Sequence, residues 1–283
     1  MLALLTDPTV ITVSLGALML GLTSGALGAF AVLRRQSLLG DTMSHAALPG
    51  VVLGYLVAGG RSLPFMLAGA LVTGLAAALL SVVLARRRGI KSESALGVAL
   101  GTGFALGVVL LSYVKRQPGA GSAGLEQFLF GQAAATLRSD LVTIFVLGGV
   151  SLLAVALLFR QLKIVIFDPH FAQANGFRVR GYEAASTALL AIAIVVGLEL
   201  VGVVLMSALV VAPAAAARQW VGSLSGMIWL AGAIGALSAL TGALLSSAIP
   251  GLATGPTVVL VASLVVVISL LFAPRRGVAV EGA

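Results

Sequence analysis

The sequence predicts an all-α protein, a polytopic helical bundle that spans a membrane about nine times. Three observations carry that prediction. Only 9% of the 283 residues are charged and 60% are hydrophobic, whereas a soluble domain carries roughly a quarter charged residues; the mean hydropathy is +1.15. The apolar residues fall into unalternating runs of about 20, the length of a helix crossing a hydrocarbon core and the wrong pattern for a β-barrel. The 17 basic residues sit mostly between the runs.

The first run covers 9–33, is rich in Gly and Ala, and ends at Arg34 and Arg35. It is too long for a signal-peptide core and has no basic segment before it, so it reads as a span of the mature chain. The second covers about 37–58. A turn with Arg61 and Pro64 leads to the third, about 64–85, and Arg86-Arg87-Arg88-Gly89-Ile90-Lys91 marks a cytoplasmic loop. The fourth is about 94–114. Residues 115–139 are polar and Gly-rich, with Pro118, Glu126 and the turn Leu129-Phe130-Gly131. The fifth span is about 140–159, and the longest charged stretch, Arg160 to Glu183, follows it. The apolar run from Glu183 through Ala217 is about 34 residues. At about 1.5 Å per residue it is too long for one crossing of roughly 30 Å. It splits into a sixth and a seventh span with a break in Gly197–Gly202. The eighth (about 224–247) and ninth (about 256–273) are separated by Pro250-Gly251, and Arg275 and Arg276 close the chain. Eight spans result instead if the segment after Glu199 is re-entrant.

With the N-terminus outside and the C-terminus in the cytoplasm, 13 of the 17 basic residues fall in inside loops and 4 outside, as the positive-inside rule requires. The chain, 1–283, reads as one transmembrane domain containing a cytoplasmic loop at 160–182, without an internal repeat strong enough to assign an inverted-repeat transporter. The net charge of +8 is explained by this topology. It does not indicate nucleic acid, because no aromatic-basic interleaving is present. The absence of cysteine excludes disulfides and thiolate metal sites.

The second span carries the chemistry. In Leu38-Leu39-Gly40-Asp41-Thr42-Met43-Ser44-His45-Ala46-Ala47-Leu48-Pro49-Gly50, Asp41 and His45 are four residues apart and share a helix face. Both types ligate divalent transition metals, and ionisable groups inside a membrane face a bundle interior, a partner or a water-filled path. The competing reading makes Asp41 a helix cap and His45 a hydrogen-bonded interior residue. Glu199 is the other carboxylate well inside an apolar run, unless it sits at an outer helix end. In the loop, Asp168-Pro169 is a helix-start signature and Asn175-Gly176 a helix-stop signature. They frame one short helix, fit either to dock into a soluble motor or simply to order the loop. No Gly-x-x-x-x-Gly-Lys-Ser/Thr phosphate loop occurs, so an ATP-driven process needs a separate ATPase.

Together these stretches resemble the metal-ion ABC transporter permease family, the membrane subunits of bacterial manganese, zinc and iron importers. The resemblance rests on the Leu38–Gly50 block, on Phe167-Asp168-Pro169-His170-Phe171-Ala172 with Gly176, and on Val201-Gly202-Val203-Val204-Leu205 through Ala212-Pro213-Ala214-Ala215-Ala216-Ala217, with Leu129-Phe130-Gly131 also fitting. It covers about 10–273. It implies the helical fold of the vitamin B12-importer class, in a bacterial cytoplasmic membrane. It also implies a homodimer of this permease, two copies of a cytoplasmic ATPase and an extracellular solute-binding protein that delivers the metal. By the same resemblance, Asp168, Pro169, His170, Phe171, Ala172 and Gly176 form the ATPase-coupling loop. His170 stands where the family usually has an acidic residue and lies away from any pore.

The expected function is passage of a divalent cation, with Asp41, His45 and Glu199 as a transient ligand set between two protomers and with no cofactor held by the chain. A cation in a low-dielectric layer needs oxygen or nitrogen ligands, and a partial, hydrated set releases its cargo more readily than a closed cage. Without Cys, and with two His, the donors favour Mn²⁺ over Zn²⁺, with Fe²⁺ open; Pro49 also resembles manganese-type members. The alternatives are a proton-coupled secondary transporter using the same three residues as a relay, and an intramembrane metalloprotease. The protease lacks the His-Glu-x-x-His set it needs. Glu126 reads as a solvated residue or a contact for the binding protein, and the Gly-rich spans as close helix packing.

Overall fold

A computed structural model describes residues 7–87, 89–116, 125, 131, 138–249 and 252–273. Of the sequence features above, Arg88, Pro118, Glu126, Leu129, Phe130, Pro250, Gly251, Arg275, Arg276 and the side chain of Glu199 lie outside the described residues. Every regular element among the described residues is a helix. In chain order they are α1 (Pro8–Leu33), α2 (Ser37–Ala58), α3 (Leu63–Ala85), α4 (Ser92–Lys115), α5 (Arg138–Phe167), the short α6 (Pro169–Ala174), α7 (Val179–Leu200), α8 (Val203–Trp220), α9 (Leu224–Ala248) and α10 (Thr254–Phe272). By length and composition, 7 of these helices are apolar enough to cross a membrane. Among the described residues α2 and α8 are the long helices outside that group, so nine spans are not established; in α2, Asp41, His45 and Pro49 dilute the apolar run.

Successive long helices run in alternating directions. Leu33, Phe167 and Leu224 line one cavity, and Arg34, Ala85 and Ser92 another, so these helix ends meet at the end of the bundle that carries α6. Leu63, Pro64 and Thr143 meet at the opposite end. The helix α1 lies in the middle and packs most extensively on α9. In lipid the hydrophobic effect does not drive helices together, so close van der Waals packing between small residues must. Gly21 and Gly25 lie against the Gly235 and Ala231 backbones, and Gly28 against the Val210 carbonyl, so closely that a Cβ would overlap them. The outer surface is apolar, with Leu79 on α3, Val109 on α4, Leu157 on α5 and Leu260 on α10 exposed.

Two helices turn out longer than the sequence predicts. The fifth continues past Arg160 to Phe167. Nothing in Gln161–Ile166 breaks a helix, and the stop comes only at Asp168-Pro169, so Arg160 and Lys163 ride on a helical extension instead of a loop. The next helix begins at Val179, before Glu183. The long apolar run is broken where expected. Leu200 ends α7, and Gly202 has φ 88 and ψ 163, a conformation only glycine adopts without strain. Gly131, also at positive φ (73), packs on the backbone of Leu200 and Val201, where no side chain would fit. Between α1 and α2 the turn is made by Arg35 at φ 56, with Gln36 N–H bonded to the Ala31 carbonyl at 2.9 Å, the left-handed helix stop usually given to glycine.

Arg34 pins that turn to α7. Its Nη1 donates to Ser186 Oγ at 2.9 Å, and its Nη2 is 3.7 Å from Glu183 Oε1. Burial pulls the Arg34 pKa below the ordinary arginine value, and the Glu183 carboxylate opposes this; the guanidinium stays charged in either case.

Gly25→Leu should force α1 off α9 and cost about 1–3 kcal/mol. A fall in the thermal midpoint and in the monodisperse yield of detergent-purified protein would report it. Gly149→Leu, at a position that faces open space, should leave both near the wild-type values.

Candidate functional site

The helix α2 starts at Ser37 with Gln36 as its cap, so Asp41 lies inside the helix and is not the N-cap. It shares a face with His45, and His45 Nε2 is 3.4 Å from Asp41 Oδ1. The two side chains keep 31% (Asp41) and 16% (His45) of their surface exposed, so the pair is recessed but open on one side. Thr42 ties the same turn to α4, donating to the Leu38 carbonyl at 2.9 Å and to the Leu96 carbonyl at 3.3 Å.

Two further residues complete the surroundings, and neither was named from the sequence. Phe104 on α4 meets the His45 ring edge-on, with centroids 5.0 Å apart and planes at 89°. The approach is possible because Gly103 lies directly against Ala46, where a Cβ would collide. Ser207 on α8 lies near the Asp41 carboxylate. The sequence signals were slight: an isolated serine in the apolar run 203–212, and a phenylalanine after a glycine. Asp140, at the start of α5, is also buried, with 5% exposure, and accepts from Ser139 Oγ at 3.3 Å; its place at a helix end hid it. Glu199 lies in the last turn of α7, two residues before the break.

Chemically, the pair offers a hard oxygen and an imidazole nitrogen aimed at one spot. Adjacent ligands about 2.1 Å from an ion at octahedral or tetrahedral angles stand roughly 3.0–3.4 Å apart, so the observed gap accepts an ion without rearrangement of the helix. Among the described residues His45 Nδ1 is buried without a hydrogen-bond partner, and Asp41 and Phe104 are the side chains set against the ring. No group of three or more His, Asp or Glu suited to a metal occurs among the described residues.

At the α6 end the residues expected to form the coupling loop make one local unit. Asp168 Oδ1 accepts from the Phe171 N–H at 2.8 Å with Pro169 in the first turn. Ala172 is fully buried beneath the helix, and Gly176 (φ 79) turns the chain away. His170 is exposed, as are Phe167 and Phe171, two large apolar side chains presented at the end of the bundle. This unit is separate from the Asp41–His45 pair in the chain and in the bundle.

A family model described as the ABC 3 transport family matches residues 6–273. The chain is 42% identical over 278 residues to the zinc transport system membrane protein TroC of Treponema pallidum, covering 98% of this chain and 93% of that protein. It is 42% identical over 266 residues to the manganese transport system membrane protein MntC of Bacillus subtilis, covering 94% of this chain but only 61% of that relative's length. A solved structure of PsaBC from Streptococcus pneumoniae in complex with Fab matches with a TM-score of 0.87 and 31% identity, covering 100% of both chains.

Diethyl pyrocarbonate labelling read by mass spectrometry tests the geometry directly. The exposed His170 should react quickly and the recessed His45 slowly. Phe104→Ala should raise the His45 rate several-fold without changing that of His170; an unchanged His45 rate would mean that Phe104 does not hold the ring.

Proposed function

This chain belongs to the ABC 3 transport family, and from that premise we propose that it is the membrane permease subunit of an ATP-driven importer for a divalent transition-metal cation, with Mn²⁺ favoured and Zn²⁺ or Fe²⁺ as further cargoes. The observation that carries this reading is the Asp41–His45 pair, a carboxylate and an imidazole 3.4 Å apart on a helix inside the bundle. Relatives named for manganese and for zinc transport support the cargo class and leave the preferred ion to experiment. The oxygen-rich, cysteine-free donor set supports Mn²⁺.

On this reading all nine long helices cross the bacterial cytoplasmic membrane in the manner of the vitamin B12-importer class, with the N-terminus outside and α6 in the cytoplasm. Two copies of the permease pair, and the open sides of their Asp41–His45 pairs supply a shared, incompletely liganded relay. Glu199 joins it near the α7–α8 break, and Ser207 orients Asp41. The cation keeps part of its hydration, so that release remains fast. ATP is hydrolysed by a separate chain that seats on α6, with Phe167 and Phe171 as apolar anchors and the capped turn Asp168–Ala172 keeping them in place. An extracellular binding protein delivers the ion.

Reconstitution of the chain in proteoliposomes with its ATPase and binding protein tests the proposal. We expect ATP-dependent uptake of one divalent ion. Asp41→Ala and His45→Ala should lower uptake by tenfold or more while ATPase assembly stays intact. Normal uptake by a folded Asp41→Ala variant would remove the pair from the path. Uptake that ignored ATP and followed a proton gradient would replace the importer with a secondary transporter using the same residues. Separately, Phe171→Ala should weaken co-purification of the ATPase several-fold and leave the Asp41–His45 pair untouched.

A further inference from the structure

A cavity of about 300 Å³ opens at the α6 end between the ends of α2, α3, α4 and α7. It lies away from Asp41, because Leu39, which lines it, points to the opposite side of α2. Its charge is not balanced. Arg34 and Arg86 both line it, and the one carboxylate present, Glu183, already pairs with Arg34. Arg86 is exposed, and no carboxylate among the described residues lies within ion-pairing distance of it. Ser92, the first residue of α4, also faces the cavity. No side chain caps that helix, and Glu93 in its first turn already complements the positive dipole end, so the basic character of the recess comes from the two arginines. Below these groups the wall becomes apolar, formed by Val82 and Ala85 of α3. Val82, which lines the cavity, is 47% exposed and Leu79, one turn further along, is 65% exposed, so an exposed apolar strip of α3 leads away from the cavity.

A basic recess at the membrane-water boundary that runs into an acyl-facing groove has the shape of a phospholipid: phosphate at the top, chain along the helix. Basic pockets between membrane helices are the usual seats of anionic headgroups. We infer that this cavity is a binding site for one anionic phospholipid, its phosphate held by Arg34 and Arg86 and its acyl chain lying along Leu79 and Val82. A lipid bound there bridges α3, α4 and α7, the helices around the far side of α2. The inference stands apart from metal transport, since none of these residues belongs to the Asp41–His45 pair.

Native mass spectrometry of the full chain, released from a mild detergent and titrated with phosphatidylglycerol, phosphatidylcholine or inorganic phosphate, tests it. The wild-type chain should retain one phosphatidylglycerol in roughly tenfold preference to phosphatidylcholine. Arg86→Gln should reduce that preference several-fold. Ala85→Phe, which fills the cavity while keeping the charge, should do the same. Arg87→Gln, an equal loss of charge outside the cavity, should retain the lipid. Equal losses for Arg86→Gln and Arg87→Gln would reduce the effect to bulk charge and overturn the site. So would equal retention of the two lipids, or displacement of phosphatidylglycerol by inorganic phosphate at matching concentration.

Discussion

The geometry around the site depends on how closely α2 can lie against its neighbours. On one side Gly50 and Gly54 bring its backbone onto Gly69 and Phe65 of α3. On the other, Gly103 and Gly107 of α4 receive Ala46 and Leu48. None of these contacts would admit a further carbon. Lipid gives helices no solvent-driven reason to associate, so this fit is what makes α2 a rigid element. It also lets Pro49 stand inside the helix, because the surrounding helices enclose the backbone that proline disturbs. A rigid α2 gives Asp41 and His45 a fixed separation.

Fixed donors in small number suit passage better than storage. Four ligands around a divalent ion make a closed structural site. Here the chain offers a carboxylate and an imidazole, opened on one side, with a serine hydroxyl behind the carboxylate. The break at Val201-Gly202 contributes as well. It lets α8 leave the line of α7 and cross against α1 and α2, which is how Ser207 comes near Asp41. The machinery at the α6 end is built differently, from a short capped helix and exposed aromatics, and belongs to contact with another protein in the proposed importer. The short helix α6 packs on α5 and α7, and α7 in turn packs on α2.

Much of this was legible in the sequence because the bilayer imposes strong rules. Helix length follows from membrane thickness, so among the described residues the apolar runs correspond to long helices with ends shifted by a few residues, apart from the extended end of α5, and 7 of those helices are long and apolar enough to span. The break at Gly202 and the start and stop of α6 were legible because Gly, Asp-Pro and Asn-Gly act locally. The Asp41–His45 pair was legible because i and i+4 share a face whatever surrounds them. Phe104, Ser207 and the Arg86 cavity were not. Each depends on which helix lies beside which, and that is decided by glycine contacts spread over separate helices, such as Gly21 with Gly235 or Gly103 with Ala46. Spacing within one helix does not reveal its partner.

In the proposed importer His45 and Asp41 touch the cargo ion. Pulsed electron paramagnetic resonance of Mn²⁺ bound to the permease assembled with its ATPase, without the binding protein, reads that contact. A nitrogen coupling from one imidazole should appear in the wild-type complex, vanish in His45→Gln and persist in His170→Gln. A nitrogen coupling unchanged by His45→Gln, or bound Mn²⁺ with no imidazole coupling at all, would contradict it.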